Sequence, residues 1–345
     1  DSYREKQIWG VAILGVLTVG TVVCSGNSTF ILYLIMILAA KEVNVRTIVK
    51  LTCIIQGAML LSIVVMSQIG IIPDYIFDAS TRQRHGLGFL WTTTGAILYF
   101  YFMVLYIYLR EERAHLIEYV ILEAVNFGLY KLTDARMSFY LSTLLLVYVY
   151  VMRFYWQNRK DRIRKNRLLI GAPAFFCILA VACQIFYIPT DARWQKINSV
   201  LSGRLELGCF GWRDYGFSLL GTKIEWIGFS HNATAGTYNY VDCSYMQILL
   251  ENGLIPLVII IAVYTYIMYM AVKEKDFYLQ TAVLLITAFS ITEPRLLNLA
   301  YNPLPFFGIT YISLRGRSAL FHREGHRLNR RVRFRTTHVR LKARK

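Results

Sequence analysis

Arg84, Arg136, Arg193, Arg204, Arg213 and Arg295 each fall in or beside a polar stretch that interrupts long apolar runs. A guanidinium stays charged at any physiological pH and presents a planar fork of donors that matches two phosphate oxygens at once. Converging, these side chains would form a phosphate pocket; singly, each could instead anchor a helix end at lipid headgroups by snorkelling. A second group lies in Tyr238–Gly253, YNYVDCSYMQILLENG. On a helix, the three-residue spacing of Asp242 and Tyr245 puts them on one face. A carboxylate beside a phenol suits binding a sugar or taking the proton from its hydroxyl. Ser244 with Gln247 also fits a capping box, and Asp242 could cap the same helix, so a purely structural reading stands beside the chemical one. His231, just upstream, is a second candidate general base.

Other chemistry is missing. The chain has no Walker-type loop, no DxD pair and no GxSxG, motifs that would cradle a nucleotide, hold a metal or present a serine nucleophile. No cofactor and no metal are therefore expected, and a transferase here needs a donor that is already activated. Of six cysteines, Cys24, Cys53, Cys177 and Cys183 fall in apolar helices, where a thiol behaves as a small hydrophobe. Cys209 and Cys243 could pair in an oxidising compartment.

The elements that must position these residues are membrane helices. The 345 residues are 56% hydrophobic and only 17% charged, with mean hydropathy +0.42, below the charge content of a typical soluble protein. Such a chain reads as an all-α polytopic membrane protein, because open strand edges cannot sit in lipid. Ten spans are expected, at about Ile8–Cys24, Ser28–Ala40, Thr52–Ile72, Leu90–Leu109, Ile117–Leu132, Ser138–Trp156, Leu168–Ile188, Leu254–Val272, Phe277–Thr292 and Leu299–Leu314. Residues 1–188 then carry helices 1–7, 189–253 one large extracytoplasmic loop, 254–314 helices 8–10, and 315–345 a basic cytoplasmic tail. The loop is long but rich in Trp, Tyr, Phe and Leu, which argues for a folded cap. Lys and Arg concentrate in alternate loops (Lys41, Arg46 and Lys50; Arg110 and Arg113; Arg159–Arg167; Lys273 and Lys275; the tail), which puts both termini in the cytoplasm and the long loop outside. The tail holds 12 Lys/Arg and one Glu, so +11 of the net +17 sits in its 31 residues. Beside a membrane such charge meets anionic headgroups, and with no recognition fold attached it does not indicate nucleic acid.

Several stretches resemble one family. SGNSTFILYLIMILAAKEVN, IGIIPDYIFD followed by RHGLGF, YKLTDARMSF, LSGRLELGCFGWRDYGFSLLG, YNYVDCSYMQILLENGLI and ITEPRLLNLAYNP occur in order from about residue 20 to 305. Together they resemble Wzy-type bacterial polysaccharide polymerases, most of all the capsule and exopolysaccharide enzymes. The resemblance implies an enzyme at the outer face of the cytoplasmic membrane that moves a growing glycan from polyprenyl diphosphate onto the sugar end of the next lipid-linked repeat unit. The diphosphate is the leaving group, so neither metal nor nucleotide sugar is needed. It also implies, as partners, the lipid-linked oligosaccharide, membrane lipid, a chain-length regulator and other polysaccharide-assembly proteins. By position it places phosphate-binding arginines at Arg84, Arg136 and Arg204, and a polar element at Asp242, Ser244 and Tyr245 with Cys243 in place of the usual Asn. Arg193, Arg213 and Arg295 would add charge, Asp242 or His231 would act on the acceptor hydroxyl, and Trp194, Trp212 and Trp226 would stack on sugars. Two departures stand out: LWTTTGA at Leu90–Ala96, where members carry a Gly-His-Pro-Asn-Thr-like run, and the arginine-rich tail after the likeness ends at Pro305. An O-antigen-ligase-type transferase, a flippase or transporter of lipid-linked oligosaccharide, and a non-catalytic scaffold are the competing readings.

Overall fold

The computed structural model describes residues 5–79, 82–158, 167–228 and 238–314. His231 and the basic tail lie outside these residues. The described chain is mostly helical: α1 (Glu5–Ser25), α2 (Thr29–Ala39), α3 (Val45–Gln68), a hairpin of β1 (Ile76–Ala79) and β2 (Arg82–His85), α4 (Thr94–Arg110), α5 (Leu116–Thr133), α6 (Arg136–Asn158), α7 (Ala172–Ile185), α8 (Ala192–Val200), α9 (Arg204–Tyr215), α10 (Ser244–Glu251), α11 (Leu254–Glu274), α12 (Phe277–Phe289) and α13 (Pro305–Leu314).

Burial sorts the helices into a centre and a belt. Most of α4 and nearly all of α12 are shielded from solvent, and α4 packs against α3, α5, α6 and α12. The outward faces of α1, α3, α5, α6 and α7 expose large apolar side chains, among them Val16, Ile55, Leu61, Val120, Val147 and Ile178. A surface so continuous in apolar residues needs an apolar solvent. Four helical segments, Ile8–Ser25, Val45–Gln68, Arg167–Ile185 and Leu254–Glu274, are long and apolar enough to cross a membrane. Three charges inside the expected fifth span are accommodated, and the first, Glu118, pairs with Arg110 (2.6 Å). Glu123 accepts from Thr143 Oγ1 across the α5–α6 seam (2.7 Å) and from Asn126 Nδ2 on its own helix (3.3 Å), and Lys131 lies 5.2 Å from the Phe127 ring centre.

The bundle has two distinct ends. At one, Arg46 at the start of α3 pairs with Glu111 just past α4 (2.7 Å), and Tyr311 of α13 donates to Glu274 at the end of α11. At the other, α4 and α6 begin while α5 and α12 end.

Each expected span contains a helix, with local corrections. α3 starts at Val45, seven residues early, because the Asn44 side chain accepts the Arg46 backbone N–H and caps it. α4 starts at Thr94, after turns through Leu90–Thr93. The last helix starts at Pro305, not Leu299, since Asn302 diverts the chain: its Nδ2 donates to Tyr264 Oη and the Leu296 carbonyl, both at 2.7 Å. The all-α expectation missed the hairpin, in which Phe77 pairs with Arg84. Cys209 and Cys243 are both free and buried. Cys209 Sγ turns to the Tyr187 carbonyl (3.7 Å).

Candidate functional site

A cavity of about 440 Å³ opens at the end of the bundle where α4 and α6 begin. Arg84, Arg136, Arg204 and Arg295 all line it, together with Asp242 and Glu293. The four guanidiniums arrive from β2, from the first residues of α6 and α9, and from the turn after α12. Thr94, Arg136 and Arg204 are the first residues of their helices, so three helix N-termini with partial positive charge also border the space. Both features favour an anion.

The arginines are held differently. Arg204 is bound inward: one terminal nitrogen donates to Glu293 Oε1 at 3.0 Å, and Nε faces Asp242 Oδ2 at 3.6 Å, too far for a hydrogen bond. Arg84 Nε donates to the Thr133 carbonyl at the end of α5 (3.0 Å), which satisfies a helix-terminal acceptor. Arg136 makes a long contact to Asp134 (3.5 Å) and its side chain is 48% exposed. Arg295 stacks 4.4 Å over the Tyr301 ring, and its Nε is buried with no hydrogen-bond partner among the described residues. A buried donor left unpaired is costly, and the Arg204 Nε is unpaired in the same way among the described residues; Arg295 therefore gains from a ligand, and half-exposed Arg136 can reach one.

Local folding explains these placements. Asn198 of α8 takes the Leu205 and Glu206 backbone N–H groups on its Oδ1 (3.0 and 3.3 Å), fixing the first turn of α9 and thus Arg204. Ser244 Oγ donates to the Glu293 carbonyl and accepts from Leu296 N (3.1 Å), clamping the turn that carries Glu293 and Arg295. Asp134 and Ser202, both on the cavity wall, have positive φ (51° and 58°) without being glycine. Such strain often gathers at functional positions.

Glu293 is the residue that sequence reasoning missed. Its side chain is 7% exposed, and burial pushes its carboxyl up to about 7; Arg204 and Arg295 pull it down and Asp242 pushes it up. Asp242 is likewise raised by burial, against the pull of Arg204 and Arg295. The two carboxyls share Arg204. The available signal was an acid two residues before Arg295, in a segment otherwise almost free of charge.

Other expected site residues lie elsewhere. Tyr245 is fully buried and donates to the Thr287 carbonyl (2.6 Å). Asp242 precedes α10, whose N-cap is Cys243, so Asp242 and Tyr245 share no helical face and neither the capping box nor an Asp242 cap forms. Ser244 is a support for the Glu293 turn and does not line this cavity. Arg193 and Arg213 are exposed on α8 and α9, away from it. Trp194 packs on Tyr187, and Trp226 on Tyr215 and Tyr240. Trp212 packs against the main core. The aromatic groups on the cavity wall are Trp91, Tyr238 and Tyr240. Trp91 belongs to Leu90–Ala96, the segment that departs from the polymerase pattern, and that segment borders the cavity through Leu90, Trp91, Thr93 and Thr94.

Compared with protein-family models, curated proteins and solved structures, the chain finds no match.

Proposed function

We propose that this protein polymerises lipid-linked oligosaccharide repeat units at the outer face of a bacterial cytoplasmic membrane, transferring the growing glycan from polyprenyl diphosphate to the sugar end of the next unit. The observation that carries the reading is the meeting of Arg84, Arg136, Arg204 and Arg295 with two shared carboxyls in one cavity at the end of an apolar bundle. Arg136 and Arg295 bind the diphosphate and neutralise charge as the glycosyl C1–O bond to it breaks, a contribution that is large where water is excluded. Arg84 and the three helix N-termini add to the same field. The Asp242–Glu293 pair takes the proton of the acceptor hydroxyl as its oxygen bonds to C1, and the carrier diphosphate leaves. A carboxyl titrating near 7 is well matched to that task. Trp91, Tyr238 and Tyr240 offer flat surfaces for sugar rings. The transfer needs no cofactor, and its partners are lipid-linked oligosaccharide, bilayer lipid and other polysaccharide-assembly proteins.

The test uses purified protein in lipid with a polyprenyl-diphosphate-linked repeat unit, chelator present and nucleotides omitted. A product ladder spaced by one repeat is expected. Attachment of one preassembled chain without further growth would indicate a ligase-type transferase, and no extension by folded protein would remove the enzymatic reading.

A further inference from the structure

A second site lies across the Glu293–Arg295 turn from the arginine cavity. It is a polar cleft of about 150 Å³ bordered by Asn27, Gln247, Glu251, Asn252 and Asn298. That is roughly ten times the space one water needs. It adjoins an apolar cavity of about 170 Å³, and Phe30, Tyr33 and Leu297 border both. The apolar part runs along Leu14–Thr21 of α1 and Pro256–Val263 of α11, about 10 Å of helix length. Polar head space and apolar tail space are thus stacked along the bundle axis, and among the described residues the cleft shares only Pro294 with the arginine cavity.

The head space has a definite chemistry. Asn27 Nδ2 donates to Glu251 Oε1 at 2.9 Å. Asn252 is 5% exposed, and its Nδ2 has no hydrogen-bond partner among the described residues. Among the described residues no Lys or Arg lines either part, which disfavours a bare anionic headgroup beside Glu251. An ammonium would suit Glu251 but has no lone pair for Asn252 Nδ2. A hydroxyl both donates to a carboxylate and accepts from a carboxamide. We propose that this is a binding site for a neutral glycolipid, with the sugar hydroxyls between Asn27, Glu251 and Asn252 and the chain between α1, α2, α11 and α13.

The experiment is native mass spectrometry and thermal melting of the full-length protein with monoglucosyl-diacylglycerol, phosphatidylglycerol or phosphatidylethanolamine of matched acyl chains. The glucosyl lipid is expected to stay bound and to raise the melting temperature, as any ligand of the folded state does, while the other two do neither. Asn252→Asp, which keeps the shape and removes the donor, should weaken binding roughly two- to tenfold. Ile259→Trp should block the tail space and abolish binding, and Arg136→Ala should leave it unchanged. Equal retention of either phospholipid overturns the proposal. So does wild-type binding by a folded Asn252→Asp or Ile259→Trp variant, and the lipid selectivity of the unmodified protein stands even where a variant misfolds.

Discussion

Of the four cavity arginines, Arg136 and Arg295 make no hydrogen bond as short as the 3.0 Å bonds of Arg84 and Arg204 among the described residues, so their loss should tell most directly on chemistry. Arg136→Ala and Arg295→Ala are each expected to lower kcat by about 10²-fold or more, with the lysine variants intermediate because charge survives while the two-pronged geometry does not. Single-turnover extension of a lipid-linked repeat measures this. Glu293 makes a pH prediction. Because the pair acts as a base when ionised, the rate should climb with pH through about 7 and then level off, and Glu293→Gln should remove or displace that rise. The same shift has a stability consequence of defined sign. The folded-state carboxyl is raised above the ordinary carboxylate range to about 7, so the folded protein keeps a proton that the unfolded chain has lost. Stability therefore falls as pH rises through this window. Glu293→Gln should melt higher than wild type at pH 8, with the difference narrowing toward pH 5; an equal difference at both pH values would show that Glu293 does not titrate there.

Arg204 depends on the seating of α9. Gly208 lies one turn further along that helix, and a Cβ there would come 1.6 Å from Gln184 Oε1 of α7. Gly208→Ala should therefore push α9 off α7, lower stability by about 1–3 kcal/mol and carry Arg204 away from Asp242 and Glu293. Adding Gln184→Ala removes the obstructing side chain and should restore most of the melting temperature. Failure of that rescue would mean α9 is placed by its Asn198 clasp alone. The β1–β2 hairpin works similarly for Arg84, which is docked on the Thr133 carbonyl at the end of α5. Nothing in IFDASTRQRH alternates like a strand, and the hairpin is held by that contact together with the His85–Asp74 pair and the Phe77–Trp91 ring contact.

The molecule as a whole separates a basic end from an arginine-cavity end, with an apolar belt between. If the belt lies in the membrane as proposed, Lys196 on α8 faces outside and Lys273 at the end of α11 faces the cytoplasm. In a Cys24→Ser background, an impermeant thiol reagent added to intact cells should label Lys196→Cys and spare Lys273→Cys until the membrane is opened. Labelling of both in intact cells would refute the arrangement. Much of the net charge of +17 belongs to the tail, so its influence on orientation is separable by truncation at residue 315.

Apolar run length determined by itself that the chain is mostly helical with an apolar outer surface, because lipid requires internally satisfied backbone; it did not show α8, α9 and α10, which lie in the segment read as one loop. Arg84, Arg136, Arg204 and Asp242 were legible as candidates from residue type and position. Whether they meet was not, since they lie up to 158 residues apart in the chain, and only the packing of α4, α5, α6, α9 and α12 brings them to one cavity. The same packing set aside Tyr245, buried by α12, and left Arg193 and Arg213 facing outward. It also disclosed Glu293, whose importance rests on burial beside Arg204, a property that no single residue's identity carries.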